Sequence, residues 1–165
     1  MSGLQVRPAQ ADDGPAVYAA WQSLRHYYAS VDRRIINAPV ALDDFVDAYR
    51  ERFGQGTAAA FVAVDGRRLA GFIICTIEHN QPDRLPERHA TVGHLFVDPD
   101  YRRKGIGRKL FESVAGWATA QDNVSHFEMP VLAADSSAAE FWRALGFTPF
   151  IQRLWAPLSA PELDG

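Results

Sequence analysis

The sequence predicts a mixed α/β fold of the α+β kind, a mixed sheet carrying helices. Three observations point to it. Apolar runs broken by tight-turn signals between residues 58 and 97 mark strands. Helical stripes stand before them, up to about residue 54, and after them, from residue 105. No internal repeat and no long linker divides the chain.

The elements follow in order. Leu4 to Pro8 reads as a first short strand. Asp12 or Asp13 stands where a helix cap belongs, with Pro15 near the first turn. That helix runs to about Tyr28, with Ala16, Ala19, Ala20, Leu24 and Tyr27 on or near its apolar face. After the polar stretch Ser30 to Asn37, Asp43 and Asp44 open a second helix that ends near Gly54. Ala59 to Val64 is a continuous apolar strand, Asp65-Gly66 a tight turn, and Leu69 to Ile77 the returning arm of a hairpin. Asn80 to Arg88, with Pro82 and Pro86, is a loop, and Ala90 to Val97 is a further strand ended by Pro99. Ile106, Leu110, Val114 and Trp117 then follow a helical stripe. Phe127 to Leu132 is a short strand interrupted by Pro130. Ser136 to Leu145 is a helix closed by Gly146. Phe147 to Trp155 is expected to form a last strand or pair, and the tail from Pro157 to be disordered.

Composition narrows the function classes. At 165 residues the chain is about one domain, expected over residues 2–156 with a tail at 157–165. Its longest apolar run, Ala58 to Val64, is seven residues. A membrane span needs about 20, so no membrane partner is expected. The N-terminus lacks a basic start followed by an apolar block, so no signal peptide is expected. Cys75 is the single cysteine, which fits a reducing, cytoplasmic setting and offers no cysteine-based zinc site. No metal site is expected, and Glu128 beside His126 reads as an exposed strand face. The net charge of -3 makes any local basic cluster more informative.

One such cluster carries chemistry. Five of the 17 basic residues lie between Arg102 and Lys109, in a turn with two glycines that joins an apolar strand to an amphipathic helix. Such a turn points several backbone N–H groups at one anion, and the helix dipole adds positive potential. Bare glycines let a phosphate approach the backbone. A Walker loop needs Gly-Lys before Ser or Thr, whereas this stretch has Lys104-Gly105. A dinucleotide fingerprint needs a third glycine where Leu110 stands. One basic turn without interleaved aromatics in an acidic chain is a poor nucleic-acid footprint, so no nucleic-acid partner is expected.

The run Arg102 to Gly107 resembles the acetyl-CoA motif of the GNAT N-acetyltransferase superfamily, Arg-x-x-Gly-x-Gly, with Val97, Pro99 and Tyr101 matching its lead-in. Val131, Asp135, Ala138, Phe141, Trp142 and Gly146-Phe147 have the spacing of that family's later strand-and-helix motif. The resemblance reaches about Trp155. It implies a central, mostly antiparallel twisted sheet of six to seven strands flanked by about four helices, with two central strands splayed. The pantetheine arm of acetyl-CoA would lie in that wedge, bonded by backbone groups near Leu95, Phe96 and Val97. Arg102 opens the motif, and the N–H groups of Arg103, Lys104, Gly105, Ile106, Gly107 and Arg108 would cradle the pyrophosphate. Asp135, Ala138 and Phe141 of the later motif are expected on the cofactor side. Pro130 fits a strand whose neighbour is absent, since proline is excluded from a central ladder.

The implied reaction is direct attack of a primary amine on the thioester, the acceptor being a small molecule or a peptide. Tyr27 and Tyr28 would wall the acceptor pocket. The family's tyrosine acid is Trp142 here, its asparagine is Asp135, and its frequent glutamate is Gly93. His94, the nearest titratable group, is the expected base. Cys75 is expected to be an apolar core residue rather than a nucleophile. The alternative reading is a non-catalytic acyl-CoA-binding or sensing domain. A homodimer is a state the family often adopts.

Overall fold

The computed structural model describes residues 3–158. Within them the chain forms β1 (Gln5–Pro8), α1 (Gly14–Val31), α2 (Leu42–Gly54), β2 (Ala58–Asp65), β3 (Arg68–His79), β4 (Arg88–Val97), α3 (Ile106–Thr119), β5 (Val124–Glu128) and α4 (Ser136–Ala144). Compact grouping gives two units, one up to Asp135 and one from Ser136.

In the larger unit the sheet runs β1-β2-β3-β4-β5. The first three pairings are antiparallel and β4–β5 is parallel. The antiparallel arms need only turns, such as the one at Gly66, whose φ is 61°. The parallel pair needs a crossover, and α3 supplies it. β3 is central and covered on both faces, which explains its unbroken buried run from Ala70 to Ile77. Val17 and Ala20 of α1 and Phe45 of α2 pack on Val62, Phe72 and Ile74. On the other face α3 buries Ile106, Leu110, Val114 and Ala118, an i, i+4, i+8, i+12 stripe. Gly71 lies under that helix. A Cβ there would sit 2.6 Å from the Phe96 carbonyl oxygen and 3.2 Å from Leu110 Cδ1. Only glycine allows β3, β4 and α3 to approach this closely.

α2 carries Asp43 and Asp44 in its first turn and Arg52 in its last, as the helix dipole favours. The start of α1 differs from expectation. Ala11–Asp13 forms a 3₁₀ turn, and no side chain caps α1. The Asp13 carboxylate instead accepts from Arg7 at 2.7 and 2.9 Å and from the Gln10 amide at 2.7 Å.

Two strand expectations are corrected. The sheet of the described residues has five strands rather than six to seven. Phe147 to Trp155 forms no strand; Pro149 removes a donor there, and Phe150, Ile151 and Leu154 are exposed. β5 starts at Val124 and stops at Glu128, before Met129-Pro130, because proline ends the ladder and restricts the residue before it. Residues 159–165, most of the expected tail, lie outside the described residues.

In the smaller unit Trp142 is buried, packed edge-on against Phe141 at 4.9 Å and Phe147 at 5.1 Å. Gly146, at φ 96°, terminates α4, and the Phe147 amide returns to the Trp142 carbonyl at 3.1 Å.

Candidate active site

The site is built on one continuous path: β4, the turn after it, and α3. β4 pairs with β3 along its whole length, from His79↔Arg88 to Gly71↔Val97. On its other side the register with β5 ends at Thr91↔Glu128. β4 therefore continues for six residues, Val92 to Val97, past its last rung with β5. Leu95, Phe96 and Val97 lie on this stretch. The Val97 carbonyl accepts from Arg102 Nε at 3.1 Å, so Arg102 is folded back onto the strand end.

The turn that follows is conformationally unusual. Arg103 has φ 61° and Gly105 φ 76°. A left-handed arginine is a local strain, and alternating hands of the backbone turn successive N–H groups toward one concave side. Gly105 is the N-cap of α3 and provides no side-chain cap, and the first turn holds no acidic residue. The first N–H groups of α3 are thus free of the usual carboxylate or hydroxyl competitor. Arg103, Lys104 and Arg108 are exposed around them, whereas Ile106 and Gly107 are buried, so those two offer only backbone. Lys104 Nζ donates to the Asp100 carbonyl at 3.2 Å.

The acidic residues beside this turn are neutralised. Arg68 meets Asp98 at 3.1 Å and Asp100 at 2.6 Å, and its guanidinium lies 5.0 Å from the Tyr101 ring centroid. Tyr101 Oη donates to Asp65 at 3.0 Å. These braces tie the turn to the β2–β3 hairpin. The sequence reading named Tyr101 as lead-in but not its partner, which lies 36 residues away.

A β-bulge sets the direction of His94. His94 pairs with Ile74 and Val92 with Cys75, leaving Gly93 unmatched. The ring of His94 then lies beneath α1 and α2, 6.1 Å from the Trp21 ring, with Nε2 3.1 Å from Tyr49 Oη. Its Nδ1 is enclosed without a partner. Burial pulls its pKa down to about 4, so the ring is neutral at pH 7. Cys75 is fully buried and burial pushes its thiol up to about 12, which fits a core residue.

Tyr27 and Tyr28 end α1 with ring centroids 6.1 Å apart. Tyr27 Oη donates to Asp135 Oδ2 at 3.0 Å, and burial together with this carboxylate holds the Tyr27 phenol above its usual value. The same phenol feels the positive charge of Arg102, which lowers it slightly. Asp135 is 5% exposed. Ala138 and Phe141 lie on α4 in the smaller unit. Glu78 is held by Arg52 at 2.9 Å and Thr76 at 2.8 Å. Among the described residues no helix is long and apolar enough to cross a membrane.

The strand edge left free beside β4 thus runs directly into an uncapped helix N-terminus. The model of the acetyltransferase (GNAT) family matches residues 18–147, and the chain belongs to that family. A histone acetyltransferase, TAP1, of Glycine max is 32% identical over 83 residues, covering 49% of this chain and 30% of its own length. The chain thus spans under a third of that relative. Among solved structures, a mutant form of the BH1408 protein from Bacillus halodurans superposes with a TM-score of 0.80 at 21% identity, over 93% of this chain and 99% of that one. An aminoglycoside N-acetyltransferase, AAC(6')-Iy, in complex with CoA superposes with a TM-score of 0.71 at 17% identity, over 97% of both chains. These likenesses establish the fold.

Proposed function

We propose that this protein is an acetyl-CoA-dependent N-acetyltransferase acting on a primary amine. The observation that carries the reading is the run of β4 beyond Thr91↔Glu128 into the Arg103–Gly105 turn. It leaves strand backbone for an extended arm and an uncapped helix end for a pyrophosphate, in one line. The geometry fits the cofactor, since no acidic side chain occupies the first turn of α3.

Bound there, acetyl-CoA supplies an activated acetyl group as a thioester. The N–H groups from Arg103 to Arg108 hold the pyrophosphate, with Arg103 and Arg108 adding charge. Backbone groups of Leu95, Phe96 and Val97 align the arm, the Val97 carbonyl being already engaged by Arg102. The family resemblance assigns cofactor-binding roles to Asp135 and, in the smaller unit, to Ala138 and Phe141. Tyr27 and Tyr28 wall the acceptor side, with Asp135 fixing Tyr27.

His94 is the proposed base, but its Nδ1 is enclosed beneath α1 and α2, so a proton would reach it only through an intervening group. Its ring is neutral at pH 7, and water or the substrate's own groups would carry the proton otherwise. Trp142 cannot act as a general acid, because an indole N–H does not ionise usefully. A thiolate is a better leaving group than an alkoxide, so its departure would need less help from an acid. Cytoplasmic location and a homodimer belong to this reading as well.

The test is thiol release from acetyl-CoA against polyamines, amino acids, aminoglycosides, arylamines and short peptides. Amine-dependent release by one class supports the enzyme and names its acceptor. Tight acetyl-CoA binding with silence across the panel favours the sensing reading, for which the tryptophan at the tyrosine position speaks.

A further inference from the structure

At the rung where β4 and β5 part, three side chains converge that no step above uses. His89 Nε2 lies 3.5 Å from Glu128 Oε2, and His126 Nε2 lies 3.0 Å from Glu128 Oε1. The two imidazole rings stack at 5.7 Å, and one ligand atom from each of the three residues falls within 4.8 Å of the others.

Their hydrogen bonds define which ring atoms carry protons. Asn80 Nδ2 donates to the Pro86 carbonyl at 2.7 Å, which turns Oδ1 toward His89. His89 Nδ1 lies 2.6 Å from that oxygen and must be the donor. In a neutral His89 the lone pair then sits on Nε2 and faces a carboxylate oxygen, acceptor against acceptor. His126 Nδ1 lies 3.3 Å from Ser125 Oγ, a hydroxyl that either donates or accepts, and its Nε2 lies 3.0 Å from Glu128 Oε1. The His89 lone pair and the Glu128 carboxylate thus face one another at 3.5 Å with His126 Nε2 beside them, a donor set that a cation between them would satisfy. An imidazole held through its far nitrogen is the usual outer support of a metal ligand. Two histidines and a carboxylate suit a borderline divalent ion and leave a fourth position open. The side chains are 11%, 37% and 27% exposed for His89, His126 and Glu128, so an ion has access from solvent.

We propose that His89, His126 and Glu128 bind one divalent transition-metal ion of the zinc type, with Asn80 orienting His89. The ion fastens β4 to β5 at the vertex where their pairing ends. The sequence reading took Glu128 beside His126 as an exposed strand face and did not join them to His89, which stands 37 positions before His126.

The test is titration of the full chain, free of any histidine tag and stripped with EDTA, with Co²⁺ followed by its visible d–d absorption. One equivalent should saturate, and Zn²⁺ should displace it. His89→Gln and His126→Gln should each weaken binding at least about tenfold, and Asn80→Ala by about tenfold through loss of orientation. Circular dichroism checks each fold. His126, partly exposed, carries the test should His89→Gln fail to fold. Absence of saturable absorption in the wild type overturns the proposal. Unchanged affinity in folded His126→Gln overturns it equally.

Discussion

The phenol of Tyr27 and the carboxylate of Asp135, 108 residues apart in the chain, are joined by a 3.0 Å hydrogen bond. The bond ties the end of α1 to the residue immediately before α4. Removing it with Tyr27→Phe should lower stability by about 1 kcal/mol, since the phenol is partly exposed and water replaces part of the contact. If the tyrosines wall the acceptor pocket, the KM for the amine should rise more than the KM for acetyl-CoA. Steady-state kinetics and urea unfolding check both. An equal rise in the two constants would remove Tyr27 from the acceptor side.

Gly71→Ala should destabilise strongly. Its Cβ would meet the Phe96 carbonyl at 2.6 Å, and backbone on a central strand pair cannot move aside cheaply. A loss of about 2 kcal/mol or more is expected. Because Phe96 lies on the stretch proposed to align the cofactor arm, acetyl-CoA affinity should fall too. Thermal melts with and without the cofactor measure the two effects together.

Gly105→Ala isolates backbone conformation at the cradle. No atom lies within 4 Å of the added Cβ, so only the φ of 76° is opposed. Stability should fall by about 1–2 kcal/mol. Acetyl-CoA binding by calorimetry should weaken, because the turn can relax to a right-handed φ only by turning its N–H groups away. Undiminished affinity in a folded variant would dissociate this turn from pyrophosphate binding.

His94 should make the fold acid-sensitive. Its pKa is about 4 in the folded chain and about 6.5 unfolded. Between those values the unfolded chain binds the extra proton, so stability is fully present above about pH 6.5 and declines as pH falls toward 4. The loss amounts to about 3 kcal/mol at most. His94→Leu should flatten this part of the stability profile, read by urea midpoints at pH 7.0 and 4.5. Parallel profiles for the two proteins would contradict it.

The cradle was legible in the sequence because it is local. Arg102 to Gly107 are contiguous, the two glycines declare the turn, and the stripe from Ile106 declares the helix. α1, α2 and the hairpin at Asp65-Gly66 were legible for the same reason, to within a few residues. The boundaries that moved were set by partners. Asp13 is the N-cap residue of α1 but its carboxylate is turned to Arg7 and the Gln10 amide, and Phe147 to Trp155 shows β-type composition but no ladder.

What the sequence determined by itself was therefore each stretch whose conformation follows from neighbours along the chain: helical period, turn chemistry and the order strand-turn-helix at residues 97–106. Tertiary structure alone decided what faces what. The bulge at Gly93 selects the side on which His94 lies, and no strand pattern shows which rung gains a residue. The pairing of β4 with β5 stops at Thr91↔Glu128 and brings His89, His126 and Glu128 together. Side chains on separate strands meet through register, which rests on the summed packing of both faces rather than on any short run of residues.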